Sequence, residues 1–321
     1  MEKTPRNREF QIVDQITKTL AGFSLPQAEL SIGDDAALVG KDLCCLDILQ
    51  ENVHFSFDYF SYEDLGYKSL AVNLSDLAAM GGYPRYALVG LGLPTETTIT
   101  QISDFYRGMG QLAQKYDCAI VGGDISQSPY FYSTTTVIGK SSGKTILSRS
   151  NGKNHDYLLV THTLGMSALY LKTVKEKIVT PPSLLDRLRQ AHLRPIPQLE
   201  LGRYLLNVGC RCAIDCSDGF LQDVGHILDA SELGLKVNTD TIPLDAEAVE
   251  FFGRETVLEA ALGGGEDFEL IFSLKPKDYL KISNQASLPF HIVGYLTEEH
   301  PGEIVNQNGQ TLERKGFKHF E

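Results

Sequence analysis

The stretch Asn73-Leu74-Ser75-Asp76-Leu77-Ala78-Ala79-Met80-Gly81-Gly82 decides how this chain is read. Leucine, alanine and methionine favour a helix, and the two glycines followed by Tyr83-Pro84 stop it. One carboxylate, Asp76, stands alone in the apolar run. Its late position argues against a helix-dipole role, because negative charge is unfavourable toward a C-terminus. Asn73, one turn earlier, shares its face. A carboxylate in such company is costly unless a positive group meets it.

Four further segments repeat the anomaly. They are Ile32-Gly33-Asp34-Asp35-Ala36-Ala37, Leu46-Asp47-Ile48, Gly122-Gly123-Asp124 and Ile214-Asp215-Cys216-Ser217-Asp218-Gly219. Asp47 interrupts Cys44-Cys45-Leu46-Asp47-Ile48-Leu49, a buried-strand pattern, so it either pairs with a cation or binds metal. Taken singly, each aspartate reads as a helix cap or a turn residue. Gathered together, two such charges about 4 Å apart would repel by roughly 4 kcal/mol at an effective dielectric near 20. A hard divalent cation such as Mg²⁺, which takes oxygen ligands, relieves that repulsion.

The neighbours of these aspartates suggest phosphate chemistry. Gly122-Gly123-Asp124 is expected at the carboxyl end of a strand over 119–121, where α/β proteins place ligands. Glycines there let backbone N–H groups approach phosphate oxygens. Asp215 and Asp218 flank a hydroxyl at another strand end, before a helix N-terminus suited to anions. Ser217 or Asp218 also suits an N-cap. Gly263-Gly264-Gly265-Glu266-Asp267-Phe268 reads either as a flexible turn or as a substrate-binding loop. His54 and Arg149 are candidate phosphate contacts, with a structural histidine and a surface arginine as the alternatives.

Size and charge narrow the class. The chain has 321 residues, 42% hydrophobic and 22% charged, which is enough for two globular domains. A formal net charge of −12, with no basic run, excludes a general nucleic-acid binder. No apolar stretch reaches the roughly 18–20 residues of a membrane span. No apolar signal core follows the first residues, so secretion is not expected. Cys44, Cys45, Cys118, Cys210, Cys212 and Cys216 form no C-x-x-C pair. They read as buried, reduced residues of a cytoplasmic protein.

Periodicity predicts a helix over 9–20, a strand over 43–49 and a helix from a Ser61-Tyr62-Glu63-Asp64 capping box to about Met80. In that helix Asp64 and Lys68 stand at i,i+4 for mutual support. Strands follow over 86–93, 119–121 and 131–140, with a helix over 99–116. A polar segment covering 141–144 and 149–154 is the candidate linker. Beyond it come strands over 156–161, 212–215, 268–274 and 290–295, and helices over 181–191, 197–208 and 221–231. This alternation suggests two α/β domains, an N-terminal unit over 1–145 and a C-terminal unit over 146–321. No G-x-x-x-x-G-K-[ST] loop, protein-kinase signature, G-x-S-x-G, catalytic Cys/His pair or H-E-x-x-H is present.

These motifs, with Gly264-Gly265-Glu266-Asp267-Phe268-Glu269-Leu270, resemble in order and spacing the thiamine-monophosphate kinase family. It belongs to the superfamily of aminoimidazole ribonucleotide synthetase, selenophosphate synthetase and a hydrogenase maturation protein. The likeness covers almost the whole chain. Glu51-Asn52-Val53-His54-Phe55 and the closing Gly316-Phe317-Lys318-His319-Phe320 favour the thiamine branch. The resemblance implies a two-domain α/β (α+β) fold of the aminoimidazole ribonucleotide synthetase type, with the N-terminal sheets pairing in a homodimer. It further implies Mg²⁺-dependent transfer of the ATP γ-phosphate to thiamine phosphate. Because the acceptor phosphate, with a second pKa of about 6, is already largely ionised at pH 7, direct transfer with no covalent nucleophile or general base is expected. By motif position, Asp34, Asp47, Asp76, Asp124, Asp215 and Asp218 would hold metal. Tyr106, Gly123, Asp124, Arg149 and Ser217 would contact ATP, and His54, Glu266 and Phe317 the thiamine substrate. Asn52 replaces a usual Gly, Leu46 a usual Thr or Ser, and Phe317 a usual Trp, while the loop 149–156 follows the family pattern only in part. These departures bear on ATP-loop geometry and substrate affinity and leave the metal carboxylates intact. An ATP-dependent ligase or cyclase of the aminoimidazole ribonucleotide synthetase type, and a nucleotide-binding homologue that has lost turnover, are the rival readings.

Overall fold

The computed structural model describes residues 8–23, 28–141, 145–283 and 288–319. Residues 1–7, the 142–144 part of the expected linker and Phe320 of the closing motif lie outside the described residues. Helix α1 (Arg8–Leu20) precedes strands β1 (Ala37–Val39) and β2 (Asp42–Gln50). Helix α2 (Tyr62–Ala79), strand β3 (Gly82–Leu93), helix α3 (Ile99–Lys115) and strands β4 (Ala119–Gln127) and β5 (Tyr132–Ser141) complete the first half. The second half runs β6 (Tyr157–Thr161), α4 (Met166–Glu176), α5 (Pro182–Leu193), α6 (Leu199–Asn207), β7 (Cys212–Asp215) and α7 (Phe220–Ser231). Then come β8 (Gly234–Val237), α8 (Ala246–Phe252), α9 (Arg254–Gly263), β9 (Leu270–Leu274), α10 (Pro276–Ile282), β10 (Phe290–Thr297), β11 (Ile304–Asn306) and β12 (Thr311–Leu312).

The strands form two mixed sheets, ordered β1-β2-β5-β3-β4 and β12-β11-β8-β10-β6-β9-β7. Pairing is antiparallel except for β3 with β4 and β8 with β11. Among the described residues no helix is long and apolar enough to cross a membrane.

Helix α2 is the centre of the molecule. Ser61 caps it, its hydroxyl accepting the Asp64 N–H at 3.0 Å. Apolar residues on every side bury it between the first sheet, α3, α6 and β7. One continuous core of buried side chains runs from Leu43 and Leu74 through Leu184 to Phe272, so both halves share it. A second core lies under α7, around Val224, Leu235 and Val293.

Three local expectations are corrected. First, Gly122-Gly123-Asp124 lies inside β4, not at a strand end. Strand β3 pairs with it along its length, and a Cβ at Gly123 would stand 1.8 Å from the Val89 carbonyl oxygen. Gly123 therefore serves close strand approach. Second, Tyr83 and Pro84 belong to β3; the helix instead stops at Gly81, whose φ is +67°. A register shift between Pro84 and Tyr86 accommodates the missing N–H. Third, Asp64 does not support Lys68. It receives the Arg194 guanidinium at 2.5 Å, while Lys68 turns inward to Glu266.

Helices α2 and α3 cross through reciprocal glycines. A Cβ on Gly66 would stand 1.8 Å from the Phe105 carbonyl oxygen, and one on Gly108 1.8 Å from that of Glu63. Gly110, on the same α3, faces open space. Gly108→Ala should cost about 1–3 kcal/mol of stability through backbone displacement. Gly110→Ala should add roughly 0.5–1 kcal/mol by helix propensity. Urea unfolding of the two variants checks the contrast.

Candidate active site

The site forms where three elements meet. Strand β2 carries Asp47 on the helix-facing side, in phase with buried Leu43, Cys45 and Leu49. Helix α2 presents Asp76, and β7 ends at Asp215. The loop before β1 adds Asp34 and Asp35, positioned by Gly33, whose φ of +126° suits a residue without Cβ. Carboxylate oxygens of Asp35, Asp76 and Asp215 lie within 4.8 Å of one another. Asp47 shares a hydrogen bond with Asp76. The Ser75 hydroxyl donates to Asp215 Oδ2 at 2.6 Å.

Arg149 is the cation beside this cluster. Its Nη2 lies 2.5 Å from Asp35 Oδ1, and its Nε 3.9 Å from Asp34 Oδ1. Asp34 is occupied locally, accepting the Ser148 hydroxyl at 2.7 Å and the Arg149 N–H at 3.3 Å. The structure thus places Asp35, which had no assigned role, in the oxygen cluster, and gives Asp34 to the loop that holds Arg149. The adjacent Asp34-Asp35 pair was the available signal, but the choice between its members depends on which faces inward.

Burial and mutual repulsion hold protons on these groups. Burial raises the Asp47 carboxyl to about 6, and burial with the charge of Asp35 raises Asp215 to about 8. Asp76, between Asp47 and Asp215, is raised well above its ordinary value, burial being the largest cause. Asp218 is raised to about 6, chiefly by burial and by Glu9.

Helix α7 begins at Gly219, with φ +121° and no side-chain cap, so neither Ser217 nor Asp218 is its N-cap. Asp223, in its first turn, accepts the Asp218 and Gly219 N–H groups instead, at 3.1 and 3.0 Å. Asp218, Asp223 and His226 form a second group of close donors.

Beside Asp218 the chain's last segment folds back. The Phe317 N–H donates to the Asp218 carbonyl at 3.0 Å. The Phe317 ring lies 6.4 Å from His54 and 4.8 Å from His319. His54 Nδ1 accepts the Gln50 N–H, and burial with nearby His319 and Lys68 lowers its pKa to about 4. At neutral pH it is an uncharged ring, which removes the cationic basis for a phosphate contact. Glu266 faces Lys68, and its N–H donates to the Ser217 carbonyl at 2.7 Å. The Phe268 N–H meets the Cys216 carbonyl at 2.8 Å, so the loops carrying Ser217 and Glu266 are laced together.

Tyr106, Gly123 and Asp124 lie apart from this centre. Tyr106 is on α3, and β4 is three strand spacings from β2, roughly 14 Å. Asp124 is in register with Gly90, Thr134 and Ile48, on the sheet face opposite Asp47.

All donors in the Asp35–Asp76–Asp215 group are hard oxygens, which suits Mg²⁺. A family model described as AIR synthase related protein, N-terminal domain, matches residues 33–141. Thiamine-monophosphate kinase of Bacillus subtilis is 34% identical, over 97% of this chain and 99% of its own. A solved structure of AaThiL complexed with AMPPCP and TMP superposes with a TM-score of 0.86, at 29% identity and 99% coverage of both chains. The thiamine-monophosphate kinase of Stenotrophomonas maltophilia gives a TM-score of 0.77, at 31% identity over 95% of this chain and 98% of its own.

The raised carboxyls fix a pH dependence. Unfolded aspartates titrate near 4, whereas folded Asp47 and Asp215 titrate at about 6 and about 8. The folded state therefore binds more protons between pH 4 and 8, and stability is lost as pH rises through that window. In metal-free buffer, Asp215→Asn should gain stability over the parent chain as pH rises from about 4 to 8. Chemical unfolding at several pH values measures this. Added Mg²⁺ should stabilise the parent chain and not the variant.

Proposed function

The chain belongs to the thiamine-monophosphate kinase family, and from that membership we propose that it transfers the γ-phosphate of ATP to thiamine phosphate, giving thiamine diphosphate and ADP. The observation that carries the reading is the buried convergence of Asp35, Asp47, Asp76 and Asp215 beside Arg149. Asp35, Asp76 and Asp215, bordered by Asp47 and Asp218, would hold Mg²⁺. When bound, the metal neutralises phosphate oxygens so that two anions can approach. Asp34 acts one step behind them by fixing the Ser148–Arg149 backbone. Arg149, on the connection between the two sheets, and Ser217, in the turn between β7 and α7, contact the nucleotide.

His54, Phe317 and Glu266 receive the acceptor. The rings of His54 and Phe317 offer apolar faces, and Glu266 offers a carboxylate for ring N–H groups. The acceptor's phosphate is largely ionised at pH 7, its second pKa being about 6. One of its oxygens forms the new P–O bond as the bond to ADP breaks. No side chain has to remove a proton, which agrees with an uncharged, hydrogen-bonded His54. Direct transfer follows, the aspartates acting as ligands.

A homodimer completes the reading. Leu46 and Leu88 flank Thr136 in one row of the first sheet's outer face and are 56% and 39% exposed. Ile48 shares the next row with Asp124 and is 50% exposed. An apolar sheet face of this kind favours burial by a second copy. Asp124, Gly123 and Tyr106 would then contribute ATP and metal contacts across the interface. The N-terminal unit (1–145) supplies the dimer face and the C-terminal unit (146–321) closes the site. The cysteines are unpaired, which supports the cytoplasm as the compartment of the reaction.

Purified protein given ATP, Mg²⁺ and thiamine phosphate should release ADP and thiamine diphosphate in equal amounts. Asp76→Asn should lower kcat by at least about 100-fold with unchanged circular dichroism; near-normal turnover in that variant refutes the ligand role. ADP release only with a different acceptor would favour the ligase or cyclase reading. Leu88→Lys should convert the dimer to monomer in sedimentation, with loss of activity if the interface completes the site.

A further inference from the structure

Behind Glu266 lies a buried polar group that phosphate transfer itself does not use. Lys68, on α2, has no solvent exposure, and its Nζ lies 2.9 Å from Glu266 Oε1. That ammonium makes no hydrogen bond of ordinary geometry among the described residues, so its contact with Glu266 is an ion pair. The Phe60 ring covers it, 5.3 Å from Nζ to centroid. His192, on α5, is equally buried, and its Nδ1 lies 3.2 Å from Glu266 Oε2 and 2.9 Å from the Ser167 hydroxyl. Tyr59, Phe60 and Tyr170 wall in the imidazole.

The chemistry of the carboxylate fixes the protons. A carboxylate only accepts, so the Nδ1–H tautomer is the one that lets His192 donate toward Glu266, with the Ser167 hydroxyl sharing the same nitrogen. Burial and the positive charge of Lys68 hold the ring neutral. Its Nε2 is then a buried lone pair without a partner. A buried ammonium with one ion-pair partner and an imidazole with one idle nitrogen are costly to stability. The backbone bears a further cost, because Glu266 has φ +65° although it is not glycine. Each of these costs fixes the same carboxylate, which remains partly open to solvent.

We propose that Lys68 and His192 are positioning residues: each grips one oxygen of Glu266 from behind, leaving its outward lone pairs aimed at the N–H-bearing heteroaromatic ring of the acceptor. The proposal rests on the reading of Glu266 as an acceptor contact. Helix α2 adds a length constraint. Lys68 and Asp76 are eight residues apart on it, about 12 Å along the axis. An acceptor with its ring at Glu266 and its phosphate at the aspartates therefore lies along this stretch of the helix.

Steady-state kinetics of the full-length protein, with thiamine phosphate and ATP varied separately, tests this. His192→Leu and Lys68→Met should raise the acceptor KM about tenfold or more, with the ATP KM changed less than about twofold. His192→Asn keeps an N–H at the Nδ1 position and should hold the acceptor KM near that of the parent chain. In a Glu266→Gln background, which also removes the unpaired charge left by Lys68→Met, neither change should cost further acceptor affinity. Equal losses in His192→Leu and His192→Asn, or additive losses in the Glu266→Gln background, overturn the positioning role. If Glu266→Gln raises the acceptor KM but Lys68→Met and His192→Leu do not, the positioning role alone falls. If Glu266→Gln itself leaves that KM unchanged, the acceptor-contact reading falls and this proposal with it.

Discussion

Mutual repulsion among carboxylates is the constraint on which the molecule is organised. A loop, a strand, a helix and a second-sheet strand end all deliver an aspartate to one buried place. Arg149 and retained protons make that convergence tolerable in the protein alone. Such an arrangement disfavours folding and favours a cation. It therefore indicates function more strongly than a comparably buried apolar cluster would.

Helix α2 explains how the fold holds that arrangement still. Its apolar residues anchor it on all sides, so its few polar residues have no freedom to turn away. Lys68 meets the Glu266 carboxylate, Ser75 steadies Asp215, and Asp76 joins the cluster. Close glycine contacts with α3 fix its depth. Backbone hydrogen bonds then lace the loops of Ser217 and Glu266 to each other.

Much of this was legible in the sequence, and for identifiable reasons. The Ser61 capping box and the glycine stop located α2, and β7 was read at its observed bounds because an apolar run ended at an aspartate. The short or weakly signalled elements were missed: α4 starts at a glycine with no capping side chain, and β11 and β12 have only three and two residues. Gly122-Gly123-Asp124 misled because a pair of glycines reads as a turn, whereas here Gly123 permits a close strand pair. Asp47, Asp76 and Asp215 could be singled out as charges in apolar surroundings. Asp35 could not be preferred to Asp34, nor Lys68 matched to Glu266, because both depend on contacts between distant segments. Lys68 read as a helix-surface partner of Asp64, since i,i+4 spacing carries no information about depth.

The continuous core has a consequence for how this chain could be divided. Leu74 and Phe272 belong to the same apolar cluster although one lies on α2, against the first sheet, and the other on β9 of the second. Severing the polypeptide after the first sheet would leave α2 with one flank bare, and a fragment so stripped would aggregate before it could wait for its complement. The halves are distinct in topology but not in thermodynamics, so ribosomal synthesis must deliver α6 and β7 before α2 is secure.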